Sequence, residues 1–231
     1  MKKIFILMAM IFQMLCAFCE DNENLYIKKA VNQYYNETGN NPYGTNWLYG
    51  RSSELKNVDA YSFMFEYLSD GDKNTAWCGA SKNSGINEFV LFNVRELDEF
   101  GFYSGFNYDS AIRKGIDIKF LIYNGLCSSE KDFHKFNRVK KALVQFYEVA
   151  KIVGQNSMII DGLPILLSQA TIELDDFILE QSFDFHIDLD KKKITSTPDV
   201  IMKFTILDVY PGTDYDDTCI SEIKVYGEYA E

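Results

Sequence analysis

The chain has 231 residues, of which 34 are acidic and 23 are lysine or arginine, for a formal net charge of −11. So acidic a surface repels phosphate backbones and headgroups, which argues against nucleic acid and anionic membrane as partners. The length allows one large domain with a sizeable core, since all-β sandwiches often reach this size as a single unit.

Residues 1–19 have the order of a secretory signal peptide: Lys2 and Lys3, an apolar run from Ile4 to Phe18, small or tolerated residues at Ala17 and Cys19, then Glu20-Asp21. The run is shorter than the roughly 20 apolar residues that a bilayer core requires. Lipidation at Cys16 or Cys19 is the minority reading, because bulky Leu15 and Phe18 precede them. Removal of this segment takes away two lysines and moves the net charge from −11 to −13. The expected location is extracytoplasmic: secreted, periplasmic or at the cell surface.

Residues 20–57 read as a polar leader that wraps the domain. Asn24 to Tyr35 fits a short helix with Leu25, Lys28, Lys29 and Asn32 at helical spacing, followed by loop chemistry at Gly39-Asn40-Asn41-Pro42. Asn36-Glu37-Thr38 matches a glycosylation acceptor, a weak signal. Trp47 and Tyr49 read as packing residues.

The domain proper is expected over 58–231. Tyr61 to Tyr67 is aromatic and reads as a short strand. Asp70-Gly71-Asp72-Lys73-Asn74-Thr75-Ala76-Trp77-Cys78-Gly79 then packs two acids, a turn glycine, a hydroxyl and a tryptophan into ten residues. Glu88 to Val94 is a nearly continuous apolar run, suited to a buried strand. Glu96 to Arg113 is rich in Gly, Tyr, Asp and Asn and reads as a long surface insertion; exposed aromatics on such loops often carry binding.

Gly115 to Tyr123 alternates, with Ile116, Ile118, Phe120 and Ile122 on one face, and Asn124-Gly125 turns the chain. Phe133 to Lys141 is the one basic island. Ala142 to Ala150 fits a strand, although Lys141, Val144 and Tyr147 are also helically spaced. Phe183 to Leu189 alternates, with Phe183, Phe185, Ile187 and Leu189 inward and His186 outward; Val200 to Tyr210 alternates again. Ile223 and Val225 mark the last strand. Six to eight short strands point to a sandwich or jelly roll.

Outside the leader the cysteines are Cys78, Cys127 and Cys219. In an oxidising compartment a disulfide is expected. Cys78 and Cys219 lie in the tryptophan stretch and in its C-terminal counterpart, Tyr210 to Ile223, so that pair is favoured and Cys127 is left free; sequence alone does not prove connectivity. The Asp70–Thr75 loop offers side-chain oxygens and carbonyls bent inward by Gly71, which suits calcium with Glu222 arriving from the last strand. The alternative is an Asp-Gly turn with ordinary hydrogen bonds. Trp77 reads as a core anchor. No nucleophile elbow, zinc-protease helix, phosphate loop or dinucleotide fingerprint is present, and the only histidines are His134 and His186. A hydrolase has no nucleophile–base constellation to stand on.

The chain resembles a known family on several motifs taken in order. These are Asp70-Gly71-Asp72 with Thr75-Ala76-Trp77, Gly85-Ile86-Asn87-Glu88, Ile122-Tyr123-Asn124-Gly125, Phe136-Asn137-Arg138-Val139-Lys140, Leu174-Asp175-Asp176 with Gln181, and Val209-Tyr210-Pro211-Gly212-Thr213 through Asp217-Thr218-Cys219-Ile220-Ser221-Glu222-Ile223. Across roughly Tyr61 to Gly227 it is similar to discoidin (coagulation factor V/VIII type C) domains of the galactose-binding-like class. In particular it resembles the NADase-type glycan-binding branch, also described as the NAD glycohydrolase translocation domain. The resemblance implies an all-β jelly-roll sandwich of about eight strands without catalytic residues. It implies a role in binding glycans, or in attaching or translocating a secreted protein at a surface. It also implies a structural calcium at Asp70, Asp72, Thr75 and Glu222. Cys78 after the tryptophan and the long insertion depart from the family pattern.

The expectation is therefore a secreted, non-enzymatic module that binds a glycan or surface glycoconjugate. Tyr123, Asn124, Asn137 and Arg138, with Tyr103 and Tyr108 from the insertion, are the candidate ligand residues. Aromatic stacking on sugar faces and directed hydrogen bonds would supply affinity. The alternative is a structural or interaction component of the envelope, whose partner is another envelope protein.

Overall fold

In the computed structural model Trp77 lies directly opposite Ile220, and Cys78 opposite Cys219. The two motif stretches thus meet in a short antiparallel ladder, and a disulfide joins Cys78 to Cys219. The structure describes residues 24–30, 48–55, 57–80, 83–97, 103–104, 115–153, 158–188 and 198–230. The signal-like segment 1–19, most of the insertion, Trp47 and Leu189 lie outside the described residues. No described helix is long and apolar enough to cross a membrane.

Helix α1 spans 24–30. The strands follow as β1 (Leu48–Arg51), β2 (Asn57–Val58), β3 (Tyr61–Ser62), β4 (Trp77–Cys78), β5 (Phe89–Leu97), β6 (Tyr103–Ser104) and β7 (Gly115–Asn124). After helix α2 (Glu130–Lys135) come β8 (Arg138–Val153), β9 (Met158–Glu173), β10 (Gln181–Asp188), β11 (Pro198–Tyr210) and β12 (Cys219–Ala230). One sheet runs β1-β5-β11-β8-β9, and the other runs β10-β7-β12 with β4 on its end. Strand β5 serves both. Phe89 to Val94 pair with β11, while Arg95 and Glu96 run parallel to Tyr226 and Gly227 of β12. The result is the jelly-roll sandwich that the alternating segments imply.

The core lies between the sheets. It is built by Val90, Phe92 and Val94 of β5, Ile116 to Ile122 at every second residue of β7, Val144 and Phe146 of β8, and Met202 and Phe204 of β11. Each large apolar side chain fully buried here contributes about 1.5–3 kcal/mol relative to exposure. Trp77 is completely buried in the same cluster, and its indole N–H donates to the Ser53 carbonyl at 3.0 Å. It is a core anchor and no stacking platform. The nearly continuous apolar run in β5 has a simple cause. Leu91 faces the outer side of its sheet, where Ile27 of α1 covers it together with Tyr147, Val149 and Ile201. A strand buried on both faces has no need to alternate.

The structure corrects several sequence expectations. Tyr61 to Tyr67 is a strand only at Tyr61–Ser62; Phe65–Ser69 forms a 3-10 turn that buries Phe65 and Leu68. Those two side chains lie three residues apart, the repeat of that turn, and the Glu54 carboxylate takes the Phe65 N–H. In α1 the buried residue is Ile27, not the expected face, and Leu25 is exposed. The strands are not all short: β8 and β9 make a hairpin of two 16-residue strands. The helical alternative at Lys141–Tyr147 is excluded, because those residues are bonded on both sides, to β9 and β11.

Candidate functional site

Register places the motif loops at one end of the sandwich. Ile122 near the end of β7 pairs with both Gln181 and Ile223, and Arg138 at the start of β8 pairs with Tyr210 at the end of β11. The loops 125–137, 174–180 and 211–218 therefore emerge together, beside the disulfide.

The centre of this end is a buried polar knot. Arg138 donates from Nε and Nη2 to both Asp176 oxygens at 3.0 and 2.8 Å, and from Nη1 to the Phe136 and Pro211 carbonyls at 3.0 and 2.9 Å. Its guanidinium also lies 5.3 Å from the Phe133 ring centroid. Asn124 acts as a spare backbone unit: its Nδ2 donates to the Val139 carbonyl at 2.7 Å and its Oδ1 accepts the Val139 N–H at 2.8 Å. Asn137 accepts the Gly212 N–H at 2.6 Å and donates to the Asp216 carbonyl at 2.8 Å. Two glycines make this closeness feasible. At Gly125, where φ is +86°, a Cβ would sit 2.6 Å from Arg138 Cγ; at Gly212 it would sit 2.4 Å from the Lys135 carbonyl oxygen.

This corrects half of the ligand candidates. Asn124, Asn137 and Arg138 are buried, with their polar atoms directed at protein partners. They build the loops instead of meeting a ligand, because a buried amide or guanidinium must find internal partners. Tyr123 is half-buried on β7, opposite Glu222. Tyr103 is placed by its backbone in β6, opposite Leu97. Tyr108 lies outside the described residues. The basic island is also neutralised, since Lys135, Arg138, Lys140 and Lys141 pair with Asp132, Asp176, Asp208 and Glu173. His134 sits near Glu130 on the exposed side of α2, and His186 is exposed between Asp117 and Asp188, which hold its pKa up.

The knot holds something the sequence reading missed. Loop 174–180 is pinned at both ends. The Gln181 amide accepts the Asp175 N–H at 2.8 Å and donates to the Asp175 carbonyl at 2.9 Å, and Tyr210 donates its hydroxyl to the Leu174 carbonyl at 2.9 Å. With Asp176 clamped by Arg138, the tip projects Phe177 and Leu179, which are 39% and 65% exposed. The sequence carries one cue, three apolar residues between Asp175-Asp176 and Glu180 in a stretch with no strand pattern, which by itself reads equally as core.

The Asp70–Thr75 loop lies at the disulfide side. Gly71 donates its N–H to Glu222 at 3.0 Å, and Thr75 donates its hydroxyl to Asp70 at 2.8 Å. Asp70 and Asp72 also accept the N–H groups of Asp72 and Asn74 at 2.8 and 2.9 Å. The structure thus brings the Asp70–Thr75 loop against Glu222. The carboxylates are engaged by the loop's own donors, and among the described residues no three acidic, histidine or cysteine side chains are grouped to hold a metal. Burial pushes the Glu222 carboxyl up to about 7, with Asp70 and Asp72 adding to it, while the Gly71 N–H and Lys224 oppose. Among the described residues Cys127 is the free thiol; it is buried, and burial pushes it up to about 11.

A family model described as the NAD glycohydrolase translocation F5/8 type C domain matches residues 43–226. The chain belongs to that family. The match spans every strand from β1 to β11 and most of β12, so this F5/8 type C domain takes in β1 and the loop after it. A comparison with curated proteins gave no match. Among solved structures, one similar chain is the CBM32 of AlyQ in complex with 4,5-unsaturated mannuronic acid, at 11% identity and a TM-score of 0.33, covering 79% of this chain and 95% of that one. Another is a putative chitobiase fragment from Bacteroides thetaiotaomicron, at 16% identity and a TM-score of 0.37, covering 73% and 78%. A third is GH31 CBM32-2 bound to GalNAc, at 14% identity and a TM-score of 0.31, covering 77% and 95%.

Proposed function

We propose that this F5/8 type C domain is a non-catalytic binding module whose ligand is a glycan on a cell or envelope surface, held at the loop end of the sandwich. The observation that carries the reading is the exposed Phe177 ring on a loop pinned by Gln181, Arg138 and Tyr210. A fixed aromatic face stacks on the C–H face of a sugar at little entropic cost. Asp175 and Glu180 flank the tip and accept hydroxyl protons, so neutral or amino sugars are favoured over uronic or sialic acids. Tyr123 and the tyrosines of the insertion, Tyr103 and Tyr108, are the proposed outer contacts. Location outside the cytoplasm belongs to the proposal, supported by the signal-like residues 1–19 and by the disulfide.

The test is a glycan array with the purified chain. Binding to a neutral glycan that drops at least tenfold in Phe177→Ala, with an unchanged unfolding midpoint, is expected. Equal binding by Phe177→Ala overturns the site, and an array with no binder overturns the glycan reading. A pull-down from envelope extracts then distinguishes the envelope-protein alternative.

A calcium ion at Asp70, Asp72, Thr75 and Glu222 is a separate proposal, which requires the two aspartates to turn from backbone amides to the ion. Millimolar calcium raising the melting temperature of the wild-type chain, and not that of Asp70→Asn, supports it. No shift overturns it.

A further inference from the structure

The two outermost strands of the sandwich are protected very differently. Edge strand β10 turns Asp184, His186 and Asp188 to solvent. Strand β9 closes the other sheet and, among the described residues, pairs only with β8. Residues 162–172 of β9 carry no charged side chain, in a chain of net charge −11. On this stretch Leu163, Ile165 and Leu166 are 48%, 37% and 37% exposed. Edge strands of monomeric proteins are usually guarded by charges, because their unpaired N–H and C=O groups template pairing with another chain. Here the guards are Pro164 and two register shifts against β8, one beside Leu167 and one over residues 162–164, with no charge among them.

We propose that β9 is a self-association edge: it pairs antiparallel with β9 of a second copy of this chain about a two-fold axis, extending the five-stranded sheet across the dimer. Charge selects the occupant. Acidic surface repels a second copy over most of the molecule, and this edge is where two copies meet without opposing charges. A strand paired antiparallel about a two-fold is complementary to itself and needs no matched partner sequence. Charge also selects the register. Centring on Leu167 would set Asp161 of each copy against Glu173 of the other. Centring on Leu166 sets Leu163 against Gln169, Ile165 against Leu167 and Asp161 against Thr171, and keeps the acids apart.

Sedimentation velocity on the purified chain over a concentration series tests this. The expected result is a concentration-dependent doubling of mass in wild type, and a monomer for Leu166→Lys and for Gln169→Lys, both with wild-type unfolding midpoints. Gln169 is an exposed polar position, so its substitution keeps the test sound if Leu166→Lys fails to fold. Leu166→Cys, close to the axis, is expected to form a covalent dimer on oxidation. A wild-type chain that is monomeric at every concentration overturns the proposal. So does a dimer that persists in Gln169→Lys, or one that Asp184→Lys on the opposite edge dissolves.

Discussion

The Arg138 knot and the Asp70–Thr75 loop are built from the same kinds of residue and do opposite work. Both are short polar stretches beside a turn glycine, and both read as ligand sites. In the knot the polar atoms are buried and directed at carbonyls and carboxylates of three separate loops. In the loop the aspartates are exposed and bond within five residues of themselves. Long-range bonds in a dry environment hold a fold together, while local bonds in water hold a turn. The lesson is that polarity alone does not mark a binding residue; the separation in sequence of its partners does.

The largest effect is expected where both regions depend on one tether. The disulfide closes a separation of 141 residues. A Cys78→Ala/Cys219→Ala chain should lose about 4 kcal/mol, because an unconstrained unfolded chain has more freedom. Urea unfolding measures it, and a loss below about 1 kcal/mol would mean the strands hold without the tether.

The comparison itself is broken or upheld by paired substitutions. Arg138→Ala should cost about 3 kcal/mol, the lower end for a broken buried pair since Asp176 stays partly wet. Asp72→Ala should stay within about 0.5 kcal/mol, as surface changes do. Similar costs for the two would erase the distinction.

A pH-dependent effect sharpens it at Glu222, the buried β12 carboxyl against which the loop rests. Its carboxyl titrates near 7 when folded, against 4.5 in the ordinary state. The folded chain therefore keeps a proton that the unfolded chain gives up. The stability this group contributes is present below pH 4.5 and is lost as pH rises to about 7. Unfolding midpoints should fall across that window, and Glu222→Gln should flatten the fall. A wild-type profile that rises instead would show the carboxylate stabilised in the fold.

Much of the fold was legible because strands report themselves locally. The alternation at Ile116 to Ile122 and at Phe183 to Ile187 needs only a period of two. The meeting of Trp77 with Ile220 was legible from paired motifs, and so was the favoured cystine. Less of the site was legible. Asn124, Asn137 and Arg138 look like surface recognition residues, and nothing next to them in the chain shows that Val139, Asp176, Asp216 and Pro211 will close over them. Phe177 and Leu179 look like core residues, and only the clamps on either side hold them in water.

By itself the sequence determined the β-sandwich, its strand faces, the tryptophan anchor and the family, since these rest on side-chain periodicity and on motifs a few residues long. Only the tertiary structure decided which polar groups are interior, which apolar ones stay exposed, and which sheet edge lacks charge. Burial is a property of the neighbours a residue meets from across the chain, and no local pattern encodes them.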